Sequence, residues 1–146
     1  MLMLGAEHRH FPGVKALTVH QPWAWSLIYG GKDIENRRWK TSYRGALLIH
    51  AGIHTDPDGV GELLRTMADP GSFGQPRSSW EARGAIIGLV FLADVLTDSP
   101  SRWALPHRYH WALEFPSPIE PAVTCRGHQG LWTPPAELIG RLADML

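Results

Sequence analysis

Only one cysteine, Cys125, occurs in the 146 residues, so no internal disulfide is available and the fold must be held by packing. Long apolar runs are missing too. Met1 to Leu4 is too short for the core of a signal peptide, and no segment approaches a membrane-spanning length, so the expectation is a soluble, cytoplasmic protein without membrane contact. Net charge is also absent, with 14 Lys and Arg against 14 Asp and Glu. A balanced chain does not coat nucleic acid through bulk electrostatics, so any such contact is expected to be local and modest. The sequence has no Walker loop, dinucleotide fingerprint or nucleophile elbow, and no internal repeat or low-complexity region.

What is present suffices for one core: 44% hydrophobic residues, including seven tryptophans, at a length near the usual domain size. One domain is expected over 14–146, behind an N-terminal tail, 1–13. The densest stretch runs from Ala16 to Ala51. Here Lys32, Arg37, Arg38, Lys40 and Arg44 stand against only Asp33 and Glu35, so charge that cancels over the whole chain is concentrated locally. With Trp23, Trp25 and Trp39 nearby, that positive patch suits a nucleotide or nucleic acid. Val14 to His20 reads as a short strand. Pro22 opens a helix carrying Trp23, Leu27 and Ile28, and Gly30-Gly31 supplies its left-handed close. Lys32 then stands just past the helix end. A strand over 33–40 puts Asp33, Glu35, Arg37 and Trp39 on one face and Ile34, Asn36 and Arg38 on the other. Tyr43-Arg44-Gly45 marks a turn, and Ala46 to His50 a buried returning strand.

Further along, Thr55 and Asp56 are expected to cap a helix whose Val60, Leu63, Leu64 and Met67 form one stripe. Residues 69–82, rich in Gly, Pro and Ser, read as a long loop, either disordered or a lid over a site. Gly84 to Leu96 is nearly continuous apolar sequence, a central strand in which Asp94 shares a face with Gly88, Val90 and Leu92. A carboxylate there needs a partner or a role. His107 to Phe115 alternates Tyr109, Trp111, Leu113 and Phe115 against Arg108, His110, Ala112 and Glu114, as a half-buried strand does. Thr133-Pro134-Pro135 opens a C-terminal helix, 134–146, whose buried side is Leu138, Ile139, Leu142 and Met145.

Taken together and in this order, several motifs resemble the ASCH domain family: H-Q-P-W-A from His20, the G-x-K ending at Lys32, E-x-R-x-W from Glu35, Y-R-G from Tyr43 and L-L-I-H-A from Leu47. The resemblance continues through RGAIIGLVFLADVL from Arg83, Tyr109-His110-Trp111 and R-G-x-x-G-L-W from Arg126, covering roughly Ala16 to Trp132. It implies an α+β fold of the PUA-like superfamily, a small mixed β-barrel of about five to six strands flanked by two to three helices. It also implies nucleic-acid binding, since both RNA and DNA binding are proposed for such domains. Some small members are amidohydrolases that remove the acetyl group from N4-acetylcytidine, using a lysine after the first helix, a hydroxyl-bearing residue shortly beyond it and a glutamate elsewhere. Lys32 matches that lysine. Where those enzymes carry K-T-x-T-x-R this chain carries K-D-I-E-N-R, so Glu35 falls at or near the hydroxyl position.

The favoured reading is a nucleic-acid or nucleotide-binding module, with the ligand in a cleft between the first helix and the barrel. Gln21, Trp23, Lys32, Glu35, Arg37, Trp39 and His110 are the expected ligand contacts, because they combine amide, ring, charge and imidazole chemistry suited to base edges and phosphates. Arg38, Lys40 and Arg44 form a basic rim. The alternative is a hydrolase of N4-acylated cytidine nucleosides, or a nuclease, with Lys32 as base or nucleophile and Glu35 or Asp94 carrying the proton. A third possibility is a protein-interaction domain whose basic strand meets an acidic partner. The histidine pairs His50/His54 and His107/His110 are joined by no acidic or thiol ligand at a recognisable spacing, so no metal is expected, nor any cofactor.

Overall fold

The computed structural model describes residues 13–72 and 80–145. Strand β1 (Lys15–Gln21) leads through Pro22 into helix α1 (Trp23–Tyr29), which buries Ala24, Trp25, Leu27 and Ile28. Gly31 closes the helix at φ 75°, and the backbone N–H groups of Gly30 and Lys32 both donate to Ser26 O at 3.0 Å. Strand β2 (Ile34–Arg37) is shorter than the expected 33–40, because the chain bends away from its partner strand at Arg38 and Trp39. Strand β3 (Gly45–Thr55) overruns the expected end at His50 by five residues.

Helix α2 (Gly59–Thr66) buries Leu63, and Met67 just beyond its end is buried too, while Leu64 is exposed, so the expected stripe is half realised. Its capping differs from expectation. Asp58 takes the cap position without a side-chain bond. Thr55 Oγ1 instead accepts Arg83 Nη2 at 2.6 Å, and the Asp56 carboxylate accepts the Asp58 N–H at 3.0 Å and Trp23 Nε1 at 2.9 Å. Of the 69–82 loop, Pro70–Ser72 is a short 3-10 turn, and 73–79 lie outside the described residues, as do 1–12 of the expected tail.

Strands β4 (Ala85–Leu96) and β5 (Tyr109–Thr124) are the long pair of the sheet. The alternation ended the expected strand at Phe115, and β5 runs on past it through Pro116, Pro118 and Pro121. Pro116 and Pro121 fall where the register of β5 against β4 shifts, between Leu89/Phe91 and between Ile86/Gly88, and Pro118 pairs with Gly88 at the edge of a shift; bulged positions do not require a donor at every residue. A two-residue strand, β6 (Leu131–Trp132), was not foreseen, and helix α3 (Ala136–Met145) buries Leu138, Ile139 and Leu142 but leaves Met145 exposed.

The six strands make one curled sheet, a half-barrel, in the order β2-β5-β4-β3-β1-β6. Only β1 and β3 run parallel; the remaining pairings are antiparallel. Alternation sends Leu17, Leu47, Ile49 and Val90 to a core with α1 on one face, and Ala16, Leu48 and Leu89 to a core with α3 on the other. Helix α1 sits tight on the sheet: a Cβ at Gly88 would lie 2.4 Å from Ile28 Cδ1. A third cluster, Trp25, Ile34, Leu63, Met67 and Trp103, ties α2 and the loop after β4 to the rest. This is the α+β architecture expected. Among the described residues no helix is long and apolar enough to cross a membrane.

Candidate functional site

Curling brings β2 at one edge of the sheet close to β1 near the other, and a cleft of about 1110 Å3 opens above the meeting point. Its floor is a chain of buried polar groups. Lys32, 7% exposed, donates from Nζ to Ile34 O at 2.7 Å and reaches Glu35 Oε1 at 3.4 Å. The second Glu35 oxygen accepts Arg37 Nε at 2.7 Å, and Arg37 Nη2 crosses to β1 to donate to Thr18 O at 3.0 Å. Glu35 thus sits between two cations, and Arg37 spans two strands that share no ladder. The Trp23 ring lies 5.5 Å from the Lys32 ammonium, held by its bond to Asp56. Burial pushes the Lys32 pKa below its ordinary value, while Glu35 opposes that shift.

Beyond Thr18 the floor continues. Its hydroxyl accepts Trp132 Nε1 at 3.2 Å and lies 3.1 Å from His50 Nδ1, and His50 Nε2 lies 2.8 Å from Cys125 O. A carbonyl accepts only, so Nε2 carries the proton and Nδ1 accepts from the threonine. Burial holds the His50 pKa low, which suits this neutral tautomer. Burial also pushes the Cys125 thiol up, so it is not an activated nucleophile.

Six cationic side chains line the cleft, Lys32, Arg37, Arg38, Arg102, Arg108 and Arg126, against the carboxylates of Glu35, Asp56 and Glu62. Trp23, Trp39 and Trp103 supply rings. Trp39 is 36% exposed and braced edge-on against Trp111, centroids 4.8 Å apart. Of the expected contacts, Trp23, Lys32, Glu35, Arg37 and Trp39 are brought together here, with Arg38 on the rim.

Three expected residues and part of the rim go elsewhere. Gln21 is buried and spent on the backbone: Oε1 accepts the Trp25 N–H at 2.9 Å and Nε2 donates to Ala82 O at 3.2 Å, so it fixes the start of α1. His110 is likewise enclosed, its Nδ1 accepting the Ser99 N–H at 3.2 Å and its Nε2 donating to Leu105 O at 2.6 Å. Asp94 is exposed and outside the cleft, where it meets Arg44 Nη2 at 3.4 Å and the Val95 N–H at 2.8 Å. Lys40 and Arg44 do not line the cleft either, because the chain leaves it after Trp39. Their place is taken by Arg102 and Arg108 from the β4–β5 loop and Arg126 from the β5–β6 loop. Only Arg126 had a signal, as the head of the R-G-x-x-G-L-W motif.

His50 and His54 do not converge: the first is locked to Thr18 and Cys125, the second packs edge-on against His20 at 5.7 Å. Among the described residues no three His, Cys, Asp or Glu side chains are grouped to hold a metal ion.

The family model for the ASCH domain matches residues 17–121, most of the chain. The chain belongs to the ASCH domain family. Two proteins called activating signal cointegrator 1 are similar to this ASCH domain. The mouse protein is 46% identical over 57 residues, 38% of this chain, and the human protein 34% identical over 97 residues, 66% of this chain. These matches span 10% and 17% of the length of those proteins, so this ASCH domain corresponds to a small part of them.

Proposed function

We propose that this ASCH domain binds single-stranded nucleic acid, RNA or DNA, in the cleft between α1 and the half-barrel. The observation that carries the reading is the convergence of six cations and the exposed face of Trp39 on one concavity. Its volume of about 1110 Å3 lies just above the ~300–1,000 Å3 usual for small-molecule sites. Arginine forks suit phosphate oxygens, and an exposed indole suits a base, which is free to stack only where the strand is unpaired. Anisotropy titrations of labelled hexanucleotide RNA and DNA across a salt series test this. Affinity should fall with salt, and Trp39→Ala should weaken binding by about 1–3 kcal/mol, the usual worth of one base–aromatic stack. Affinity indifferent to both salt and Trp39 contradicts the reading.

A second reading rests on Lys32 and its neighbour Glu35. A buried ammonium whose pKa is lowered, beside a carboxylate, suits a base or nucleophile, and Lys32 stands where the ASCH resemblance puts the lysine of amidohydrolases acting on N4-acylated cytidine nucleosides. Chromatographic assay of N4-acetylcytidine with wild type and Lys32→Ala decides it: turnover lost in the variant supports catalysis at Lys32, and no turnover by folded wild type removes it.

A further inference from the structure

The β5–β6 loop, residues 125–130, is built more tightly than a surface connection needs to be. His50 grips its first residue through Cys125 O, and behind His50 the Thr18 hydroxyl takes up the Trp132 indole at the loop's far end. Between these anchors, Gly127 lies so close that a Cβ there would sit 2.5 Å from His50 Cε1 and 2.6 Å from Thr18 Oγ1. Real Cβ atoms do not approach so near, so only glycine lets the loop lie down on the strands. The outcome is a fixed loop that carries Arg126, His128 and Gln129 to the wall of the cleft.

Arg126 has a further property. Arg37 and Arg44 meet carboxylates, and Arg83 is bonded to Thr55 and to backbone carbonyls. Arg126, Arg38, Arg102 and Arg108 have no carboxylate within ion-pair distance among the described residues. These unneutralised cations are distributed in space. Arg38 and Arg102 belong to the β2 side of the cleft, with Trp39; Arg126 belongs to the β6 side, beyond Thr18, with the exposed side chains of His128 and Ile53.

We propose that the 126–130 loop is a second station of the cleft, held in place by His50, and that the ligand is therefore an oligonucleotide strand running across Thr18 and not an isolated nucleoside or nucleotide. This rests on the nucleic-acid reading above. One phosphate meets Arg38 or Arg102 with its base near Trp39, and a later phosphate meets Arg126. A preformed loop does not have to be ordered on binding, so the second contact adds to affinity without the usual entropic cost.

The test is affinity as a function of length, using 3′-fluorescein-labelled oligouridylates and oligoadenylates of one, two, four and six nucleotides, with wild type, Arg126→Ala and His50→Ala. Wild type should bind the tetranucleotide at least about tenfold more tightly than the mononucleotide. Arg126→Ala, an exposed substitution that leaves the packing alone, should reduce the tetranucleotide salt slope by about 0.7, the value of one phosphate on a single strand, and leave the mononucleotide unchanged. His50→Ala, by freeing the loop, should repeat the loss. Equal length dependence in wild type and Arg126→Ala overturns the second station while leaving the nucleic-acid reading standing. If wild type binds no length at all, that reading falls, and the second station with it.

Discussion

The cations of this domain fall into two populations that share one cleft and behave differently. Lys32 and Arg37 are tied down: both meet Glu35, one also meets Ile34 O and the other Thr18 O. Arg38, Arg102, Arg108 and Arg126 line the same concavity without a carboxylate partner among the described residues. The first population has its charge matched inside the protein and closes the gap between β2 and β1. The second has its charge available to something outside. A positive cleft is therefore not a uniform surface, and substitutions should separate the part that holds the fold from the part that holds a ligand.

The largest separation is expected at Glu35. Replacing it with Ala leaves the buried Lys32 ammonium without a carboxylate and takes the partner from Arg37, whose side chain is 23% exposed, and breaking a buried ion pair on one side typically costs about 3–5 kcal/mol. Urea denaturation of Glu35→Ala should give a loss of that size. A loss below about 1 kcal/mol would mean that Lys32 and Arg37 find water or other partners, and the buried population would no longer be distinct. Arg38→Ala and Arg126→Ala should both stay near wild type in the same measurement.

His50 offers a second way to sharpen the contrast, because it joins the buried floor to the ligand-facing loop. Its folded-state pKa lies below the ordinary 6.5, chiefly because burial disfavours the imidazolium. Above 6.5 both folded and unfolded chains carry it neutral, and its bonds to Thr18 and Cys125 are intact. As pH falls through 6.5 and then through the lowered value, the unfolded chain takes the proton first, so stability is lost on acidification. Electrostatic interaction with the neighbouring His128 lowers the His50 pKa in the same direction. Hydrogen exchange of 125–130, corrected for intrinsic rate, should show protection falling from pH 7 to pH 5 in wild type and no comparable pH dependence in His50→Gln. Identical pH profiles would mean that the loop is held without His50.

Much of this was legible in the sequence, and the failures have a common cause. Local signals did well: Pro22, Gly31, the alternation through Glu35 and Arg37, and the apolar runs of β3 and β4 all report on the chain within a few residues. The residues misjudged were those whose role depends on what a distant segment brings. Gln21, beside the helix start, could serve a base edge or the backbone amides there; its oxygen takes the Trp25 N–H and the distant Ala82 O accepts from its nitrogen. His110 looked like a pocket histidine, but the loop that follows β4 folds back and occupies both its nitrogens. Arg102 and Arg108 carry no motif at all, and reach the cleft on a loop pinned by His110, by Asp33 through Ser101 Oγ, and by Asn36, which donates to Trp103 O and accepts from the Leu105 N–H. Alternation stops at Phe115, so the continuation of β5 through Pro116, Pro118 and Pro121 has no periodic signal; it depends on the shifted register against β4.

The smallest expected effect comes from Arg44, and it tests the comparison from the opposite side. Sequence proximity grouped Arg44 with Arg38 and Lys40 as one rim, yet its guanidinium turns to Thr41 O, Tyr43 O and the exposed carboxylate of Asp94 at 3.4 Å. Both partners are open to water, at 38% and 58% side-chain exposure, where screening and side-chain entropy leave such pairs worth about 0–1 kcal/mol. Arg44→Ala should therefore change stability by less than about 1 kcal/mol. Because Arg44 lies outside the cleft, it should also leave the salt slope for a hexanucleotide unchanged, whereas Arg38→Ala reduces that slope by about 0.7. A slope that falls equally in both variants would extend the ligand path past Trp39 and onto the outer surface. It would also remove the distinction between cations that line the cleft and cations that merely stand near it.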